Sequence, residues 1–176
     1  QDQAIRPDQD TQIILNPEGS FRRSGPAAHS GMTGRKTSAD TYGGYARHCG
    51  AALSGKDPAR IDRIGVYAAR HAAKNLVAAG LAEACEVQLS YTYGQSRPVS
   101  VHVNTFGGAV RKDRELQRLL ERHFDFRLGA IIRDFDLRHR PAKSRHGFYR
   151  RLPADGHFGA ETLPWEVLNK VAALQS

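Results

Sequence analysis

The sequence has 176 residues, 40% apolar and 25% charged, with 17 Gly and 8 Pro; this is close to an ordinary globular composition and excludes collagen-like, coiled-coil and fully disordered classes. That length allows one domain, or one and a half small ones, but no large multidomain enzyme. Lys and Arg outnumber Asp and Glu by 26 to 18, a net charge of +8 that points to an anionic ligand.

Residues 1–11 are polar and read as an arriving linker, after which Gln12–Leu15 forms a short apolar strand ended by the turn Asn16-Pro17-Glu18-Gly19. From Ser24 to Gly55 small residues dominate, which suits backbone that approaches a ligand, with one strand expected near Thr37–Tyr42. Asp57-Pro58 can cap and start a helix whose apolar residues Ile61, Ile64, Ala68, Ala72 and Leu76 recur at steps of three and four until Gly80 stops it. Val87, Leu89 and Tyr91, then Val99, Val101 and Val103, alternate with polar residues, predicting two antiparallel strands joined through residues 93–97. Helices follow at Asp113–Phe124, with Asp113 as N-cap, at Leu128–Phe135, and at Pro164–Leu174. The fold class is therefore α+β, with helices on one face of a mixed or antiparallel sheet.

The acid-free run 138–151 holds Arg138, Arg140, Lys143, Arg145, Arg150 and Arg151, and without these six the cations number 20 against 18 acids. It reads as a solvated loop, or one that contacts a neighbouring subunit, rather than a nucleic-acid grip, because no recognition motif accompanies it. Cys49 and Cys85 lack metal-ligand or disulfide-framework spacing and read as buried or half-buried free thiols. No stretch approaches the roughly twenty apolar residues that cross a bilayer, and Gln1-Asp2-Gln3 lacks the form of a secretory leader. No membrane partner and a cytoplasmic location are expected.

Two segments combine Gly with cations, Ser30–Lys36 and Ser54–Arg63. Gly exposes backbone N–H groups, Arg35 offers a planar fork, and Lys36, Lys56 and Arg60 add charge, which is what a polyphosphate requires. Asp62 is a candidate magnesium ligand, since hard cations that accompany ATP take carboxylate oxygens. A P-loop is excluded because Gly55-Lys56 is followed by Asp57. Spacing alone leaves phosphate binding and ordinary turn structure both open.

Asn16–Phe21, Gly25-Pro26, Gly31–Lys36, Asp40–Gly44, Ala52–Asp57 and Ile61–Arg63 resemble, in order, the signature of the S-adenosylmethionine synthetase family. The likeness continues through Val77–Leu81, Cys85–Tyr91, His123–Arg127, Gly156–Gly159 and Pro164–Glu166. This resemblance implies an enzyme that joins L-methionine to ATP with Mg2+ and K+ and releases phosphate and pyrophosphate. It implies that Arg35, Lys36 and Lys56 bind the triphosphate, that Arg60 stands where a lysine is usual, that Asp62 binds magnesium, that Phe21 stacks on adenine, and that Ser54 lies in the potassium segment. Arg35, Lys56 and Arg60 are the implied catalytic cations, and His29, Lys56 and Tyr93 the implied methionine contacts.

The chain departs from the family pattern at His29, where an aspartate is usual, at Leu53 for Phe, at Cys49-Gly50-Ala51 for a Gly triplet, at Tyr93 for an aliphatic residue and at Asp155 for an aromatic. Family members are much longer, with three α+β domains, and their N-terminal His-Pro-Asp segment has no counterpart here. Residues 1–24 are then expected to be linker and the last strand of a central domain, and 25–176 a C-terminal domain whose binding loops span 25–63. An incomplete active site follows, completed by a missing N-terminal half or second subunit within a homo-oligomer, dimer or tetramer. The alternative is a non-catalytic nucleotide-binding or regulatory subunit of a split synthetase.

Overall fold

The structure, a computed structural model, describes residues 8–15, 17, 19–20, 22 and 37–176. The long helix is present as α2 (Ile61–Ala78), and one strand, two later helices and a 3₁₀ turn pack directly against it. It opens later than expected: the Asp57 carboxylate accepts the Ala59 N–H at 2.7 Å and shapes the preceding turn, leaving Arg60 as N-cap. It ends as predicted. Gly80, at φ +74°, lets its own N–H reach Val77 O and the Leu81 N–H reach Leu76 O, which satisfies the last carbonyls and folds Leu81 back onto the core.

Strands β1 (Glu86–Ser90) and β2 (Ser100–Asn104) pair antiparallel with Val87 opposite Val103 and Leu89 opposite Val101. Those three valines and one leucine face α2 and α3 (Asp113–His123), while Gln88 and His102 face outward, so helices cover one face of the sheet as the α+β reading requires. Asp113 is not the N-cap of α3. Lys112 occupies that position, and the Asp113 carboxylate instead binds the Thr105 hydroxyl and N–H, tying β2 to the helix. Helix α4 (Leu128–Asp134) follows and buries Ala130 and Ile131.

Four further secondary-structure expectations are corrected. Gln12–Leu15 is irregular and exposed, with Ile13 73% and Leu15 82% accessible, because no strand among the described residues pairs with it. Thr37–Asp40 is a helical turn, α1, and not a strand; the turn aims the Asp40 carboxylate at the Ser54 N–H. The basic run is not all loop: it enters helix α5 (Phe148–Asp155), whose Phe148, Tyr149 and Leu152 pack on the core. The expected terminal helix breaks into a 3₁₀ turn, Pro164–Glu166, and helix α6 (Val171–Gln175). Asn75 causes that break by accepting the Lys170 N–H at 2.8 Å and donating to Val167 O at 3.0 Å, which holds 167–170 out of helical form.

Packing centres on Trp165, fully buried, stacked on Tyr67 at 3.6 Å between ring centroids and met edge-on by Phe135 and Phe148 at 6.1 Å, in a core that also holds Leu53, Ile64, Leu76 and Leu120. Cys85 is half-buried, but Cys49 is exposed, contrary to expectation. Among the described residues no helix is long and apolar enough to cross a membrane.

A Cβ on Gly80 would meet nothing within 4 Å, so the cost of Gly80→Ala is purely that of a left-handed backbone. The substitution is expected to lower stability by about 1–2 kcal/mol in urea unfolding, with the slope unchanged.

Candidate functional site

Helix α2 carries Arg63, Tyr67, His71 and Asn75 at successive steps of four, and all are buried beside the apolar stripe Ile64, Ala68, Ala72 and Leu76. Each must find a partner indoors, since an unpaired buried polar group costs about 1–3 kcal/mol. Asn75 binds the 167–170 segment as described, and His71 Nε2 meets Asn169 Oδ1 at 2.9 Å. Burial holds the His71 imidazole below its ordinary range, so it stays neutral there.

At the other end of the stripe lies the cationic loop. Arg63 Nη1 donates to Lys56 O at 2.7 Å and its Nε to the Tyr67 hydroxyl at 3.0 Å. Tyr67 in turn meets His157 Nδ1 at 2.7 Å, and His157 Nε2 meets Ser54 Oγ at 2.9 Å. Asp40 closes the cluster, accepting from Ser54 N at 2.6 Å and Ser54 Oγ at 2.9 Å. The loop Ser54-Gly55-Lys56, with Gly55 at φ +80°, is thus fastened from the interior at both ends.

Lys56 is half-buried at this loop, and Arg60 and Asp62 stand at the opening of α2 with Arg60 Nε 3.5 Å from Asp62 Oδ2. Arg60 and Asp62 are therefore brought together, and Ser54 and Lys56 lie on the loop that precedes them. Tyr93 is 63% exposed on the connection between the strands, and no hydrogen bond or ring contact joins it to Lys56. Arg35, Lys36, Phe21 and His29 lie outside the described residues.

Asp62, with its side chain 36% accessible, fits a cation that keeps water and takes one carboxylate beside phosphate oxygens. Among the described residues no group of three His, Cys, Asp or Glu converges on a metal position.

A second buried charge braces the same region. The Glu166 side chain is fully buried and accepts from Arg70 Nε at 2.9 Å and Nη2 at 3.1 Å, from Lys74 Nζ at 2.9 Å and from the Gly159 N–H at 3.0 Å. Burial would raise its pKa, but the donors from Arg70, Gly159 and Lys74 outweigh it and hold the carboxyl below the usual range. The Arg70 guanidinium also lies over Tyr42 and Phe158, whose rings stack at 4.8 Å.

Asp40, Arg63, Tyr67 and His157 carry no assignment from sequence spacing, although the step-of-four recurrence of polar residues through an apolar helix is a legible signal for two of them.

Residues 24–167 match the family model described as S-adenosylmethionine synthetase, C-terminal domain. The chain belongs to the S-adenosylmethionine synthetase family. It is 50% identical over 177 residues to the S-adenosylmethionine synthase of Thermosynechococcus vestitus, covering 99% of this chain and 42% of that protein. It is 52% identical over 173 residues to that of Gloeobacter violaceus, covering 97% and 41%. A solved structure titled an unusual S-adenosylmethionine synthetase from Campylobacter jejuni superposes with a TM-score of 0.74 at 38% identity, over 81% of this chain and 36% of that one. This synthetase-family chain thus spans about two fifths of the length of the curated relatives it matches.

Because Glu166 is held ionised by its donors, its contribution to stability is present at neutral pH and is lost as pH falls below 4.5 and through its depressed folded value. Glu166→Gln is expected to lower the urea midpoint at neutral pH, with the gap from wild type narrowing steadily in acid.

Proposed function

We propose that this chain is the triphosphate-gripping part of a methionine adenosyltransferase, which forms S-adenosylmethionine from ATP and L-methionine. The supporting observation is the Ser54–Lys56 loop, fastened at both ends from the interior and flanked by Arg60 and Asp62, within a chain of this family. In this reading residues 25–176 are the C-terminal domain, 1–24 are linker and the end of a central domain, and the protein works in the cytoplasm as a homo-oligomer.

In the reaction, the methionine sulfur forms a bond to the ribose C5′ while the C5′–O bond breaks and triphosphate leaves with the electron pair. Sulfur needs no base to attack, so the protein's contribution is alignment and stabilisation of charge on the departing triphosphate. Lys56 and Arg60, joined by Arg35 and Lys36, bind that group, Phe21 stacks on adenine, and His29 and Tyr93 face methionine. Asp62 would hold Mg2+, which neutralises phosphate charge when bound, and Ser54 lies in the segment that the family resemblance associates with K+. Triphosphate is then hydrolysed to phosphate and pyrophosphate. The residues that complete this site are those of the family's N-terminal stretch, outside the segment matched here.

The test is methionine-dependent release of phosphate and pyrophosphate from ATP by this chain, alone and mixed with the N-terminal stretch of a relative. No turnover alone and turnover in the mixture is expected, with Lys56→Ala lowering kcat/KM by about a hundredfold. ATP binding without turnover in any mixture would overturn the catalytic reading in favour of a regulatory nucleotide-binding subunit.

A further inference from the structure

Resting on the triphosphate reading of Lys56, we infer that Tyr67 and His157 are positioning residues that hold the Ser54–Lys56 loop in one conformation through a hydrogen-bond circuit in which Arg63 donates both ways and which the chain itself closes at Gly55. The circuit runs from Lys56 O to Arg63, Tyr67, His157 and Ser54, and returns to Lys56 through Gly55.

Its direction follows from the donors available. A guanidinium can only donate, so the Tyr67 oxygen accepts from Arg63 Nε, and its single proton goes to His157 Nδ1. Burial pushes the Tyr67 phenol up to about 12, so that proton is retained. With Nδ1 accepting, His157 carries its proton at Nε2 and gives it to Ser54 Oγ, whose own proton goes to Asp40 Oδ1. For a neutral imidazole the reverse order would leave the tyrosine proton without an acceptor among the described residues, so the network assigns the His157 tautomer, and Asp40 Oδ1, 3.7 Å from His157 Nε2, favours a proton at that nitrogen.

The rings themselves cannot drift. Trp165 stacks on Tyr67 at 3.6 Å and donates its indole N–H to His157 O at 2.7 Å, and the Arg63 guanidinium lies 4.8 Å from the centre of the Tyr149 ring. Tyr67, His157 and Arg63 are all buried, so none can touch ATP, and they act on the loop only through its two ends. Gly55 is the one loop residue between those ends, and its positive φ is the conformation the circuit selects.

Amide hydrogen exchange and tripolyphosphate titration on the 176-residue chain test the inference. In Tyr67→Phe, which keeps the ring but removes the relay oxygen, the Ser54 amide is expected to exchange at least about tenfold faster while strand β2 is unchanged. His157→Gln, which can place an N–H where Nε2 stood, is expected to protect Ser54 better than His157→Asn. The tripolyphosphate Kd is expected to rise about tenfold in Tyr67→Phe, yet not to rise further when Tyr67→Phe is added to Lys56→Met. Equal acceleration of Ser54 and β2, no acceleration, or a Tyr67→Phe penalty that persists without the Lys56 ammonium would overturn the inference. Should wild type ignore tripolyphosphate, the triphosphate reading fails, while the exchange comparison still decides whether the circuit holds the loop.

Discussion

The polar stripe on α2 is the constraint around which the rest of the molecule is arranged. A helix face carrying Arg63, Tyr67, His71 and Asn75 cannot enter an apolar core unless each side chain meets a partner with good geometry, because the interior multiplies the cost of a missing hydrogen bond. The partners come from chain segments that have little regular structure of their own, at 54–56, 157 and 167–170. One helix thereby dictates the path of a binding loop at one end and of the C-terminal tail at the other. Apolar packing supplies most of the driving force through Trp165 and its neighbours, and the polar stripe supplies uniqueness.

This arrangement explains how a ligand-facing loop rich in small residues can be well placed without a core of its own. Its Lys56 side chain is left to serve an anion because the loop is secured from behind by Arg63 and by the Asp40–Ser54–His157 cluster. Preorganisation of this kind spares the ligand the entropy of ordering the loop. It also separates two classes of cation. Arg63 and Arg70 are structural, committed to Lys56 O and Glu166, whereas Arg60 stays exposed beside Asp62.

Where hydrophobic period and local turn chemistry agreed, the fold was legible from residues alone. Ile61 to Leu76 with Gly80, the alternating valines of the hairpin and Leu116 to Leu120 each bury a single face, and each became the element expected. Legibility failed where a distant side chain captured backbone groups, as Asn75 does across 95 residues to Lys170, or where the basic Arg150 and Arg151 and a helix-breaking Pro153 hid the apolar face of α5. The site divides the same way. Lys56, Arg60 and Asp62 lie close in sequence and can be proposed from their types, whereas the bond between Ser54 and His157 spans 103 positions and has no local pattern to announce it. Only the resemblance to a known family pointed at the segments that contain both ends.

The two thiols differ in a way that gives the molecule a built-in handle. Burial pushes Cys85 up to about 11 and leaves it a poor nucleophile, while Cys49 is exposed on the strand of chain leading into Leu53 and Ser54. A maleimide dye or spin label offered to the unaltered protein would therefore settle at one address, five residues from the serine that the interior holds. The chain comes already equipped for spectroscopy of its own binding loop.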